Sequence, residues 1–203
     1  MGTKTQNLGF YQDLKITSWY LIISSENIKK ACRIMKKGGV VAYPTEGVFG
    51  FGCLPNNPEA IFRILSIKNR NPDMGLIIIA SDLSQIQAWA SLDNVDIKKI
   101  KAEKNHVTWL IEKTKNTPYW LSGKHSTIAI RLTKHPTVRA LCNNLNSALI
   151  STSANISGKQ TPKNSLILRR VFRNIVDYIV PGHCFKNTKA STIKNIKTGE
   201  VLR

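Results

Sequence analysis

The stretch VVAYPTEGVFGFG, residues 40–52, decides how this chain is read. Val40 to Tyr43 is short, apolar and rich in strand-forming residues, so it reads as a buried β-strand. Pro44-Thr45-Glu46 then leads into Gly47, Gly50 and Gly52. Glycines at this density let backbone turn tightly or approach a ligand closely. The run is neither a GxGxxG fingerprint nor a phosphate-binding P-loop. Two readings stand: a tight strand-to-helix turn, or the floor of a site.

Outward from this stretch the chain alternates helix and strand signals. Upstream, Ile28, Ala31, Cys32 and Met35 keep helical spacing, and Gly38-Gly39 stand where a helix C-cap belongs. Downstream, Asn57-Pro58-Glu59 opens a helix carrying Ile61, Ile64 and Leu65 toward Lys68. Strands are expected at Leu76–Ala80, Val107–Ile111, Thr127–Leu132 and Ala148–Ser151, with helices over Asp82–Ala90, from Pro136 onward and over Leu166–Tyr178. The tail, Ser191–Arg203, reads as two short strands around Lys197-Thr198-Gly199. Strands and helices mix without strict alternation, which points to an α/β or α+β fold on a twisted, mixed sheet.

With 203 residues, no repeat and no Pro/Gly/Ser-rich linker, one domain is expected over 19–203, preceded by an extension at 1–18. No apolar run approaches the roughly 18 residues of a membrane span. Met1 to Lys15 is polar and lacks a signal-peptide core, so a cytoplasmic location is the default. Cys32, Cys53, Cys142 and Cys184 are scattered among apolar residues and read as reduced core thiols. The histidines, His106, His125, His135 and His183, show no ligand spacing and read as surface or loop residues; no metal site is expected from either set. Thirty Lys plus Arg against twelve Asp plus Glu gives a net charge of +18. That excess attracts polyanions, RNA above all, unless it merely reflects a Lys-, Asn- and Ile-rich composition.

Four places combine polar residues with the ends of expected strands, where such folds commonly build sites. The glycine-rich turn is the first. Lys68-Asn69-Arg70, with Pro72 and Gly75 beyond, is the second. Cations past a helix end can clamp phosphate, Arg by two parallel bonds and Lys as a point charge, although a solvated helix end has the same look. Third is Ser151-Thr152-Ser153-Ala154-Asn155, a row of hydroxyls and an amide with no adjoining base that would make a serine nucleophile. Last is Arg131, alone in the apolar strand Ile128–Leu132, whose charge needs either a structural acid or a ligand carboxylate.

Taken together these places resemble one family. GGVVAYPTEGVFGFGC at 38–53 looks like the opening signature of the YrdC-like fold. Lys68-x-Arg70 and the Ser151-Thr-Ser-Ala-Asn-x-Ser-Gly158 run resemble its paired KxR and SxN motifs, Arg131 its AVR strand, and Ser191-Thr192-Ile193 with Thr198–Arg203 its closing segment. The resemblance runs in order from about residue 20 to 203. It implies an α/β fold with a twisted mixed sheet, flanked by helices, around a positively charged concave site.

The chemistry it implies is that of the YrdC/TsaC type: L-threonine, bicarbonate or CO2, and ATP condense to L-threonylcarbamoyl-AMP with release of pyrophosphate. A partner threonylcarbamoyl transferase complex then modifies tRNA. By the same resemblance Lys68 and Arg70 serve catalysis and hold phosphate, and Thr127, Ser153, Asn155 and Arg203 help hold ATP. Thr45, Gly47, Arg131, Ser151 and Ser191 match the threonine side. Mg2+ on the phosphates is implied, and weak RNA binding accords with the charge. No acid–base residue stands out, so positioning and charge should carry most of the rate. The pattern departs at Lys104-Asn105-His106, where the family has Pro-Gly-Pro, at Met74 (a cation or amide), at Gly47 (often Thr) and at Ala190 (usually Pro). Two other readings are a non-catalytic RNA-binding module of the same fold and a carbamoyl-adenylate enzyme acting on another amine.

Overall fold

The computed structural model describes residues 24–156, 158–162, 164–185, 188 and 191–202. The extension expected at 1–18 lies outside the described residues. The first helix, α1 (Ser25–Lys36), is capped by the Ser24 side chain, which accepts from the Asn27 amide, and it buries Ile28, Ala31, Cys32 and Met35. Strand β1 (Val41–Pro44) follows.

The glycine-rich turn does not lead to a helix. It folds back as β2 (Phe49–Gly52), antiparallel to β1, with Val41 opposite Gly52 and Pro44 opposite Phe49. Phe49 and Phe51 are fully buried on one face of this hairpin, and Gly50 and Gly52 lie on the other. A β-carbon on Gly52 would meet the Tyr43 hydroxyl at 2.5 Å, so glycine there is what lets β2 press against its neighbours.

Helix α2 (Pro58–Lys68) starts under the Asn57 cap and ends at Asn69, whose φ of 48° is left-handed. A 3-10 turn at Pro72–Met74 leads to β3 (Ile77–Ala80). The helix expected over Asp82–Ala90 is only a 3-10 turn, Leu83–Ile86, capped by Asp82. A helix without an expected counterpart, α3 (Asn94–Ala102), carries a capping box of Asp93 and Asp96. Then come β4 (Val107–Glu112), α4 (Tyr119–Ser122), β5 (Thr127–Leu132), α5 (Pro136–Leu145) and β6 (Leu149–Ser153).

Helix α6 (Ser165–Phe172) stops short of the Tyr178 expected. Its chain turns so that Asp177 can take the Val40 amide at 2.7 Å and Tyr178–Ile179, β7, can pair with β1. The tail forms β8 (Thr192–Asn195), and its expected second strand is a single bridge between Lys194 and Val201.

The eight strands form one mixed sheet in the order β7-β1-β2-β6-β3-β5-β4-β8. Helices α2, α3 and α6 cover one face through Ile61, Ile64, Ile100, Leu168 and Phe172, packed on Phe51, Ile78, Ile130 and Ile150. On the other face α1 and α5 cover only part of the sheet, sealing Val41, Tyr43, Ile79 and Leu149 beneath Met35, Val138 and Leu141. Two residues along the same strands, on the same face, that cover ends. Ile77 and Ser151 there line an open cavity. Among the described residues no helix is long and apolar enough to cross a membrane.

Candidate active site

The cavity has a volume of about 590 Å³ and lies over the uncovered sheet face. Strand β5 supplies its floor by simple alternation. Thr127, Ala129 and Arg131 are half-buried and line it, while Ile128 and Ile130 are 1% and 0% exposed on the opposite face. Register carries the floor sideways: Ala129 pairs with Ile77 and Ile77 with Ser151, while Ser153 pairs with Gly50. The site therefore spreads across the sheet rather than sitting beyond strand ends. Thr127 even opens its strand.

Around this floor the β1–β2 turn forms one wall. The Thr45 hydroxyl donates to the Val48 carbonyl at 2.6 Å, which tightens the turn and presents Thr45 and Gly47 to the cavity. Ser151 is 3% exposed and lines the cavity beside them. Ser191, 5% exposed, shares a 2.8 Å hydroxyl–hydroxyl bond with Thr108 of β4, which fixes the tail to the floor.

Glu46, 1% exposed, is the anchor of this end. One carboxylate oxygen accepts from the Thr133 hydroxyl at 2.7 Å and from the Lys134 and His135 amides at 2.9 and 3.2 Å. Burial alone would raise its pKa, but the nearby Arg131 charge and these hydrogen bonds outweigh it and hold the carboxyl below its ordinary value. Arg131 thus has a structural acid near it, the first of the two partners its charge called for, and it also lines the cavity.

At the other end Arg70 lines the cavity with Met74, Ser122, His125 and Thr127. Its guanidinium donates to the Gly75 carbonyl at 3.0 Å, and its buried Nε has no hydrogen-bond partner among the described residues. Burial lowers its pKa, which for arginine leaves the charge in place.

Lys68 is placed differently from Arg70. It is 4% exposed and is not among the residues lining the cavity. Its ammonium donates to the backbone carbonyls of Ser153 and Asn155 at 2.7 and 2.8 Å and to the Asn155 side-chain oxygen at 3.0 Å. Ser153 in turn donates its hydroxyl to that same Asn155 oxygen at 2.6 Å. The paired KxR and SxN motifs therefore meet, with Ser153 and Arg70 facing the cavity and Lys68 and Asn155 behind them. Burial, with the Arg70 charge second, pushes the Lys68 pKa down to about 8. Arg203 lies outside the described residues.

His135 is a loop residue, as expected, but not a surface one: it is 2% exposed at the N-cap of α5, bonded through Nε2 to the His183 carbonyl at 3.0 Å and tilted against Phe185 with ring centroids 4.9 Å apart. Burial lowers its pKa. The signal for it was Pro136, which places the preceding residue at a helix start, close to the sheet. His106 and His125 both line the cavity. Glu46 was also passed over, although a single acid within an apolar stretch of so basic a chain was its signal. Cys32, Cys53 and Cys142 are buried free thiols as expected, and Cys184 is partly exposed.

The Sua5/YciO/YrdC family model, described as "Telomere recombination", matches residues 33–203. The threonylcarbamoyl-AMP synthase of Nitrosococcus oceani is 42% identical over 179 residues, covering 87% of this chain and 96% of that protein. Among solved structures, Escherichia coli YciO superposes with a TM-score of 0.77 at 28% identity, covering 87% of each chain. Pyrococcus abyssi Sua5 in complex with L-threonine superposes at 0.78 with 26% identity, covering 87% of this chain and 53% of that one. A family model that spans the whole sheet, together with a relative matched over nearly its full length, assigns this chain to the Sua5/YciO/YrdC family.

Proposed function

We propose that this protein makes L-threonylcarbamoyl-AMP from L-threonine, bicarbonate or CO2, and ATP, releasing pyrophosphate, for threonylcarbamoyladenosine modification of tRNA. One observation carries the reading: a single open cavity has a guanidinium at each end. Arg70 bonds Gly75, two residues before Ile77, whose register partner Ala129 stands two residues after Thr127, so Arg70 lies toward the Thr127 end of β5. Thr127 and Arg131 are four residues apart, roughly 13 Å at about 3.3 Å per residue. That spacing suits a carboxylate held at one end and a polyphosphate at the other.

At the Arg131 end, Ser151, Ser191, Thr45 and Gly47 offer hydroxyl and backbone groups for threonine. The other end has Arg70, Thr127 and Ser153 for the nucleotide, with Asn155, Lys68 and Arg203 in support. Threonine's amine and CO2 give a carbamate, losing a proton. A carbamate oxygen then attacks the α-phosphorus of ATP as the bond to pyrophosphate breaks. Both partners are anions, so fixed cations that remove their repulsion carry the rate. Lys68 and Asn155 act on this step by fixing Ser153.

Mg2+ would arrive on the phosphates of ATP. Glu46, the carboxylate lining the cavity, gives one oxygen to Thr133, Lys134 and His135, its other oxygen is buried without a hydrogen-bond partner among the described residues, and no cluster of three metal-ligating side chains occurs among them. The product passes to a threonylcarbamoyl transferase complex in the cytoplasm. The basic exterior binds RNA weakly through its phosphates.

Pyrophosphate release measured with ATP, bicarbonate and each of the twenty amino acids tests the assignment. Release with threonine is expected. Release with a different amine reassigns the substrate, and silence with all twenty leaves an RNA-binding module of the same fold.

A further inference from the structure

We propose that α3, which contributes nothing to the cavity wall, fixes one side of that wall through a latch between its N-terminal carboxylates and Lys197. The wall in question is the tail: Ser191, Ile193 and Leu202 line the cavity. β8 is the last strand of the sheet and pairs in parallel with β4. Beyond it the chain returns through Thr198–Leu202, held to β8 by the Asn195 amide on the Glu200 carbonyl and the Leu202 amide on the Ile193 carbonyl, both 2.9 Å. The β4 ladder and the Ser191–Thr108 bond hold β8 on its inner side, and on its outer side lies only this short return.

The turn at its tip supplies the hold. Asn195 Oδ1 accepts from the Lys197 and Thr198 amides at 2.9 and 3.2 Å, which fixes the turn's backbone. From that turn Lys197 Nζ reaches Asp93 Oδ2 and Asp96 Oδ2, each at 2.8 Å. Asp93 and Asp96 are the capping box of α3, so they are already oriented by the helix start. Two further ties run the same way: Lys99 donates to the Ile196 carbonyl at 3.1 Å, and Glu103 pairs with Lys194 at 3.5 Å.

Exposed ion pairs hold little, because water screens them and long side chains resist ordering. This one differs in its inner partner. Lys197 and Asp93 have side chains 51% and 56% exposed, but Asp96 is 1% exposed. Losing Lys197 leaves a buried carboxylate without its cation, which is costly in a way an exposed acid is not. Neither Lys197 nor either aspartate lines the cavity. Lys197 is therefore a positioning residue, and any effect it has on substrate passes through the tail.

The test compares wild type with Lys197→Met, Lys197→Arg and Asp93→Asn by two readouts. Amide hydrogen exchange reports the tail directly. In Lys197→Met the 192–202 segment should exchange roughly tenfold faster or more, while β5 and β6 stay protected. The kinetic half rests on the proposed function: KM for ATP or threonine should rise about three- to tenfold, with kcat within about twofold. Lys197→Arg should restore both readouts, since a guanidinium can bridge the two acids, and Asp93→Asn, which keeps the cap, should fall between. Unchanged tail exchange in Lys197→Met would overturn the latch. Faster exchange with unaltered KM would overturn its link to the cavity. If the wild type itself makes no threonylcarbamoyl-AMP, the functional reading fails separately. The exchange data then still decide the latch, and equilibrium binding of ATP replaces KM.

Discussion

Lys68→Met deletes one ammonium and keeps its aliphatic stem, so it asks what that buried charge is for. The structure sets the size of the answer. Three bonds of 3.0 Å or less tie Lys68 to Ser153 and Asn155, and bonds to charged groups contribute about 1.5–3 kcal/mol each, roughly 5–9 in all. Against this stand burial and, second, the Arg70 charge, which bring the pKa from 10.5 down to about 8, together a cost on the order of 3 kcal/mol at about 1.36 kcal/mol per pH unit. The net loss expected is roughly 2–6 kcal/mol, shared between the fold and the geometry of Ser153. For a chain of this size each kcal/mol of that loss falling on the fold lowers the melting temperature by about 2–4 °C, and each falling on the Ser153 geometry lowers kcat/KM for ATP about fivefold.

The pH dependence gives a second handle, and its sign is fixed by the direction of the shift. Unfolded Lys68 holds its proton up to about 10.5 and the folded residue only to about 8. Between those values the unfolded state binds more protons, so this residue's cost to stability is full below pH 8 and fades as pH rises. Activity moves the other way, since the neutral amine is a poorer clamp. kcat/KM should decline as pH rises through about 8, and Lys68→Met should lack that decline. Melting curves and pyrophosphate release across pH 6–9.5 provide the measurements. A folded Lys68→Met protein with wild-type melting temperature and wild-type KM for ATP would refute the reasoning.

Arg70→Ala should cost about 2–4 kcal/mol in kcat/KM for ATP with little change in melting temperature, because its guanidinium makes one intramolecular bond and faces the cavity; wild-type rates in the folded variant would remove it from the nucleotide site. Arg131→Ala and Ser151→Ala should mainly raise KM for threonine, and Ser153→Ala and Asn155→Ala mainly KM for ATP. Titrating each substrate against each variant checks the division, and an Arg131→Ala that lost ATP affinity alone would reverse it. Filter binding of tRNA should show affinity that falls by a decade or more between low and physiological salt, without competition from ATP. No binding at low salt would make the +18 charge compositional.

The fold was legible where local chemistry and tertiary structure agree. Asn57 caps its helix as its side chain allows, Ile28, Ala31, Cys32 and Met35 are the buried stripe of α1, and the apolar runs of β1, β3 and β5 are strands. Strand β2 was hidden because its cavity-side positions are Gly50 and Gly52, which carry no β-propensity and suggest a turn. Helix α6 looked longer than it is because Val176 keeps the helical period, although it is buried after the chain has already turned toward β1. At the site, the residues were legible and their directions were not. Lys68 and Arg70 stand two apart, but Asn69 between them is left-handed and reverses the chain's course, so one cation faces β6 and the other the cavity. The role of Glu46 depends on Thr133, Lys134 and His135, 87 to 89 residues away, which no local spacing can signal.

That divergence leaves the cavity with less charge than the composition suggests. Among the described Lys and Arg, two line it, Arg70 and Arg131, together with one described acid, Glu46. Met74 stands at a lining position where a third cation would have helped. The exterior holds the surplus, as on α1, where Lys29, Lys30, Arg33 and Lys36 are all exposed. Charges on that surface are screened within about 8–10 Å of salt solution and do little for a reaction inside. Two half-buried guanidiniums in a lower-dielectric cavity act more strongly on nearby anions than many exposed ammoniums do. Each is held from behind, Arg70 by the Gly75 carbonyl and Arg131 by the charge of Glu46, so neither must reorganise when negative charge develops. The two guanidiniums are thus set by different means, Arg70 by a backbone carbonyl and Arg131 beside a buried acid, while Lys68 sets the Ser153 hydroxyl between Asn155 and the cavity.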